Sequence, residues 1–299
     1  MRTHGSGEPR MIEWAGTLAV LAGALGACGD DSPDVGGRCT IEAVLPIPES
    51  DEELVRGDIT LRNQSTFNAP NGGRFVEVNQ VEFSAGFRSF SSTVAPETVQ
   101  PVSFCVARVG RPEVAESTGL DAGPLELGLD QQRVVLDPDD DLKYATVIQQ
   151  PWPGAGRPVR MATPMAPSDG FPAFSMETDS VAPLELVEPP LDGPIELRTG
   201  PLDLFWEAGN GDYVQVELNP QRSGGPPRFG GQVICVFADT GCGQIPEVAV
   251  QVALSEPVND YRLLVSRVRS VRADLDADTV VDLKVESRVS LPARRASDP

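Results

Sequence analysis

Apolar and polar residues alternate with a period of two through most of this chain. Val102, Phe104 and Val106 alternate with Ser103, Cys105 and Ala107, the pattern of a strand with one face turned inward. The clearest case lies near the C-terminus. Val281, Leu283, Val285, Val289 and Leu291 fall on one face, and Asp282, Lys284, Glu286 and Arg288 on the other. That predicts a half-buried antiparallel strand with a solvated polar face. Further strands are predicted at residues 39–47, 58–62, 75–83, 99–109, 124–129, 133–136, 142–149, 157–163 and 171–177. A second series follows at 202–206, 213–218, 231–238, 246–254 and 261–271. Leu202, Leu204 and Trp206, then Val214, Val216 and Leu218, flank an Asn210-Gly211 turn signal and read as a hairpin.

Twenty-eight prolines and 29 glycines punctuate the chain and leave no long helical stretch between them. Pro183, Pro189, Pro190 and Pro194 mark a candidate boundary. The expected fold is all-β: two antiparallel, immunoglobulin-like β-sandwich domains over residues 39–188 and 189–291, with a tail at 292–299.

The beginning departs from this pattern. Trp14 to Ala27 is an uncharged, mostly apolar run of fourteen residues, preceded by Arg2 and Arg10 and ending in Leu25-Gly26-Ala27-Cys28. It is shorter than the roughly 20 residues a membrane-spanning helix needs. The order of basic, apolar and small residues before a cysteine resembles the signal peptide and lipobox of a bacterial lipoprotein. The resemblance implies removal of residues 1–27, palmitate-type acyl chains at Cys28, and a lipidated tether over 28–38. Several chains hold where one does not, since each buried methylene contributes about 0.8 kcal/mol. Glycine rather than aspartate at position 29 implies sorting to an outer membrane. Ordinary secretion, with cleavage after Ala22-Gly23-Ala24, is the alternative. Cysteine arithmetic separates the two, because lipidation of Cys28 turns five cysteines into an even set of four.

Segments Leu202–Gly209, Tyr213–Val216, Val233–Phe237 and Ile245-Pro246, with Gly170–Phe174 and Ala182–Leu184, are similar to a loose group of lipoproteins from myxobacteria-like organisms. Those proteins are built as tandem β-domains. The resemblance covers residues 120–291 and implies a fold without implying an activity.

Residues 1–27 hold two arginines and two glutamates, so the net charge of −20 stays with the mature chain. Such an acidic protein lacks the basic footprint that nucleic acid requires and gains nothing from anionic lipid. The remaining cysteines, Cys39, Cys105, Cys235 and Cys242, suit disulfides in an exported protein. Of three connectivities, Cys39–Cys105 with Cys235–Cys242 keeps each bond inside one expected domain.

Catalytic chemistry is sparse. The one histidine, His4, lies in the expected signal peptide, so neither a Ser-His-Asp nor a Cys-His mechanism is open to the mature chain. Asp274, Asp276 and Asp278 stand at alternate positions, as in calcium loops, but the glycine and distal glutamate of an EF-hand are missing. They read first as a solvated hairpin tip and second as a calcium site; Asp137–Asp141 is a weaker copy. Glu177 and Asp179 would share a strand face, as glycosidase carboxylates can. An exposed Trp152 would stack on a sugar ring, although beside Pro151 and Pro153 it also suits loop packing. The expectation is a non-enzymatic structural, adhesive or binding module held to the cell envelope by lipid, without a cofactor. The alternative is a carbohydrate-binding or carboxylate-based glycan-processing protein.

Overall fold

Long alternating segments of the sequence become long strands. A computed structural model describes residues 55–68, 76–90, 99–108, 117–165, 167–221 and 231–296, all within one unit spanning residues 39–299. In chain order the elements are β1 (Val55–Asn68), β2 (Val76–Phe90), β3 (Val99–Val102), β4 (Cys105–Arg108), β5 (Ser117–Gly119) and β6 (Leu125–Leu129). Next come β7 (Gln132–Leu136), β8 (Lys143–Ile148), β9 (Pro158–Ala162), β10 (Ser175–Asp179), β11 (Leu186–Glu188) and β12 (Ile195–Leu197). Then follow β13 (Leu202–Trp206), β14 (Tyr213–Gln221), β15 (Gln232–Phe237), β16 (Cys242–Ile245), α1 (Glu247–Leu254), β17 (Asp260–Asp274) and β18 (Thr279–Arg295).

Among the described residues the fold is mostly β. Its spine is an eleven-stranded sheet in the order β3-β4-β15-β14-β17-β18-β1-β2-β5, with β12 and β8 paired to β18 and β2. A four-stranded sheet, β10-β9-β6-β7, and a three-stranded sheet, β11-β13-β16, complete it. β18 has 17 residues and so runs about 55 Å, long enough to serve two cores. At one end Val281, Leu283 and Val285 join Ile59, Leu61, Phe83 and Phe87 beneath Leu125, Leu127, Val159 and Met161 of the four-stranded sheet. At the other, Val289, Leu291 and Ala293 join Val216, Leu218, Val233 and Leu263 beneath Leu204, Trp206 and Ile245. β-branched and leucine side chains at every second position suit both sheets.

The boundary expected between residues 188 and 189 does not divide this arrangement. β1 pairs in parallel with β18 over Val55–Thr66 and Thr279–Ser290, so the first core takes strands from both ends of the chain. The second core likewise takes Phe67, Cys105 and Ala107 from the N-terminal half.

Other expectations are corrected locally. Residues 202–206 and 213–218 do not form a hairpin: β13 pairs with β11 and β16, and β14 with β15 and β17. The segment expected as one strand over 99–109 folds back on itself as β3 and β4, with Val102 opposite Cys105 and Ser103 at a φ of 60°. Phe171 and Phe174 are core residues that precede β10. Residues 246–254, expected as a strand, form α1. Extended Pro246 starts the helix, Glu247 sits in its first turn, and Ala249, Val250 and Ala253 are buried, a helical rather than a two-residue spacing. Arg295 donates to the carbonyls of Leu254 and Glu256, supplying the cation that the last turn lacks. The predicted strand at 39–47 lies outside the described residues.

The apolar face predicted for Val281–Leu291 is as expected. The opposite face is not simply solvated, since Asp282 and Glu286 are 6% and 4% exposed.

Candidate functional site

Cys28 and Cys39 lie outside the described residues. Cys105 and Cys235 form a disulfide with Cα atoms 4.3 Å apart, and Cys242 is also disulfide-bonded. The expected pairings Cys39–Cys105 and Cys235–Cys242 are therefore overturned. The cause is topological: β4 lies beside β15 and sets Cys105 directly opposite Cys235. Both belong to the second core, although the sequence reading put them in different domains.

The other sequence candidates stand apart from one another. Trp152 packs against the first core and donates its indole N–H to the Val181 carbonyl at 2.8 Å, so it is a half-buried loop anchor. At the β17–β18 tip, the Asp276 carboxylate accepts the N–H of Asp278 at 2.9 Å. That bond, with hydrogen bonds from Thr279, holds the Asp276 carboxyl below its ordinary value. In its own loop the Asp139 carboxylate accepts the backbone N–H groups of Asp141 at 3.0 Å and Lys143 at 2.8 Å. Glu177 pairs with Arg160 at 3.0 Å and Asp179 with Arg269 at 3.6 Å. Among the described residues, no three His, Cys, Asp or Glu side chains converge as a metal site would require.

The densest polar chemistry is a layer between the two cores. Along β17 and β18, the inward pairs Leu263–Leu291 and Val265–Val289 belong to the second core. Val271–Leu283 and Ala273–Val281 belong to the first. Between them sits Arg267 opposite Ser287. The Arg267 side chain is 1% exposed and that of its partner Asp239 is 4% exposed. Its Nε donates to Asp239 Oδ2 at 2.8 Å. One terminal nitrogen donates to the carbonyls of Ala182 and Pro183 at 3.2 and 2.8 Å. The other donates to the Glu207 carbonyl and to Asp239 Oδ1. All five guanidinium hydrogens are thus engaged. Asp239 also accepts from Trp206 Nε1 at 3.0 Å and from the Gly211 N–H at 2.9 Å.

Two glycines make this geometry possible. A Cβ on Gly209 would lie 2.3 Å from Arg267 Cζ, and one on Gly211 would lie 2.7 Å from its Cγ. Asn210, between them, accepts the Ala182 N–H at 2.7 Å and donates to the Ser180 carbonyl at 3.0 Å. The Asn210-Gly211 pair read as a hairpin turn is therefore a clamp on neighbouring loops. A buried ion pair is tolerable only when its remaining hydrogen-bonding capacity is met, and this one is saturated. With no donor of Arg267 left for a substrate, the layer is a fastening between cores rather than a reaction centre. Sequence reasoning missed it. The available signal was an arginine at an inward register of a strand whose other inward positions are largely apolar.

The outward face of the large sheet carries a second charged system. Asp282 receives Arg272 through two contacts at 2.9 and 3.0 Å and Arg56 at 3.1 Å. Glu286 pairs with Arg62 and with Arg288 at 3.3 Å. Arg62 reaches Glu82 at 3.5 Å, and Arg288 reaches Glu217 at 3.9 Å. The ladder crosses β2, β1, β18, β17 and β14. Beside it lies an open depression of about 430 Å³, lined by Thr60, Arg62, Glu82, Ser84, Ala145 and Val147. Its two charged side chains, Arg62 and Glu82, pair with each other.

These features define a disulfide-bonded, ion-paired β-sheet protein. No protein-family model, curated protein or solved structure matches the chain.

Proposed function

We propose that this protein is an exported lipoprotein, anchored at the cell envelope through Cys28, whose body is a non-enzymatic structural, adhesive or binding module. The observation that carries the reading is its cysteine chemistry. A cross-strand Cys105–Cys235 bond together with a disulfide at buried Cys242 suits an oxidising compartment and not a reducing one. The basic, apolar and small-residue order before Cys28 supplies the route to that compartment. No helix among the described residues is long and apolar enough to cross a membrane, and a lipid at Cys28 accounts for attachment without one. An outer-membrane location follows from Gly29 in this reading.

The body is mostly β, with two hydrophobic cores built on one common sheet. A saturated Arg267–Asp239 layer and an Arg–carboxylate ladder support a scaffold role, because both consume their charges internally. Trp152 packs partly against the first core with its indole N–H held by the Val181 carbonyl, which favours loop anchoring over the glycan-binding alternative. A calcium role would need ligands beyond Asp274, Asp276 and Asp278.

The test is fractionation after growth with a clickable fatty-acid analogue. The wild-type protein should carry the label and remain with membranes, while Cys28→Ser should lose the label and leave the membrane fraction. Retention of Cys28→Ser in membranes would contradict the reading.

A further inference from the structure

We propose that the free edge of β7 is a docking site for a second copy of this chain, the two β7 strands pairing antiparallel about a two-fold axis. The β6–β7 hairpin turns through Asp130-Gln131, with Asp130 at a φ of 54°. The Asp130 N–H bonds to the Pro158 carbonyl of β9. The ladder alternates from there, so Gly128 faces β9 while Leu127 and Leu129 face β7. Their partners Val134 and Gln132 are thereby used, and the backbone N–H and C=O groups of Arg133 and Val135 point away from β6. Among the described residues no strand lies on that side.

The edge of β7 also lacks the protection that other edges carry. β3 contains Pro101, β8 opens with Lys143, β10 carries Glu177 and Asp179, and a register shift breaks β11. Such features keep a sheet edge from pairing. β7 has no proline, its one charged residue, Arg133, already contacts Glu126 on β6, and Val135 is 55% exposed.

This edge complements itself in one register. Setting Val135 opposite the partner's Val135 places Arg133 opposite the partner's Asp137 and, by symmetry, Asp137 opposite the partner's Arg133. On the core side it places Val134 opposite the partner's Leu136, continuing the apolar rim of the first core. Apolar then meets apolar and cation meets anion. Asp137 is exposed and precedes Pro138, which favours the extended backbone that the pairing needs. Sliding one strand by two residues would set Arg133 opposite the partner's Val135 and forfeit both charge contacts. Those contacts matter because the net charge of −20 opposes self-association. The proposal does not depend on a lipid at Cys28.

The test uses the full chain extracted into detergent, at physiological ionic strength. Sedimentation velocity should show a monomer–dimer equilibrium. Val135→Cys should cross-link to itself under mild oxidation, because Cα atoms of such a cross-strand pair lie roughly 5.5 Å apart. Val147→Cys, also exposed but on β8, should not cross-link. Asp137→Arg should raise the dimer's dissociation constant at least about tenfold. Adding Arg133→Asp should restore it, with circular dichroism unchanged throughout. A monomer at every concentration would overturn the proposal. So would Val147→Cys cross-linking as readily as Val135→Cys, or a dimer indifferent to Asp137→Arg.

Discussion

The two cores share one sheet face but are closed by different means. The first is sealed by rings: Phe87 packs against Phe171 at 4.5 Å and meets Phe174 and Tyr144 at 5.8 Å each. No disulfide between described residues crosses it. The second is built largely from smaller aliphatic side chains with Trp206, Phe237 and Tyr261, is roofed partly by α1, and contains the Cys105–Cys235 bond. Large aromatic burial supplies the first with stability from packing alone. The second draws on covalent closure, which acts mainly on the unfolded chain. What joins them is the Arg267–Asp239 layer on the strands they share.

Breaking that layer should have the largest effect. Arg267→Ala leaves the Asp239 carboxylate buried without its cation, an expected loss of about 3–5 kcal/mol. Urea unfolding should show both cores lost together. The double change Arg267→Met with Asp239→Leu should be less destabilised than either single change. If Arg267→Ala weakened one core only, as read by hydrogen exchange, the layer would not be a shared fastening.

Phe171→Ala attacks the first core alone and should remove about 3–4 kcal/mol by opening a cavity among the rings. Its mirror, Cys105→Ala with Cys235→Ala, should remove about 2–4 kcal/mol. Hydrogen exchange should then rise first in β4 and β15 while β6 and β9 keep their protection.

A gentler probe is Tyr144, whose hydroxyl donates to the Gly123 carbonyl at 2.7 Å and accepts the Ala122 N–H at 3.3 Å. Tyr144→Phe should lose about 1–2 kcal/mol. Burial, aided by the charges of Asp121 and Asp137, pushes the phenol up to about 12. A raised folded-state value stabilises fully below the unfolded value near 10 and is lost as pH climbs towards 12. Wild-type stability should therefore fall across that window more steeply than that of Tyr144→Phe.

The smallest effect is expected at Asp276. Its lowered value means a contribution present above the ordinary aspartate range and lost as pH falls through the folded-state value. Asp276→Asn should barely change thermal unfolding, and calcium should not shift the melting of either protein. A calcium shift abolished by Asp276→Asn would instead establish the loop as a site.

Much of this was legible as local pattern. The inward face of β18, the strands of β6 to β9, and the turn between β17 and β18 follow from alternation that any half-buried sheet imposes. The helix α1 was hidden because Val248, Val250 and Val252 alternate like a strand, whereas the buried residues are Ala249, Val250 and Ala253 at helical spacing. The joining of the two cores was hidden for a different reason. Parallel pairing of β1 with β18 brings together residues more than 200 positions apart, and no turn signal announces such a contact. The disulfide error came from the same source, since the assumed domain boundary kept Cys105 away from Cys235. Arg267 stood in plain view at an inward register, but its partner Asp239 sits in a short loop that resembles any other turn.

The reading of this body as an anchored envelope module is tested most directly at its N-terminus. Mass spectrometry of the first peptide from the native membrane fraction should find a chain beginning at Cys28 and carrying acyl chains. A peptide beginning at Leu25, or an unmodified Cys28, would contradict the account and make the protein a freely secreted or periplasmic one.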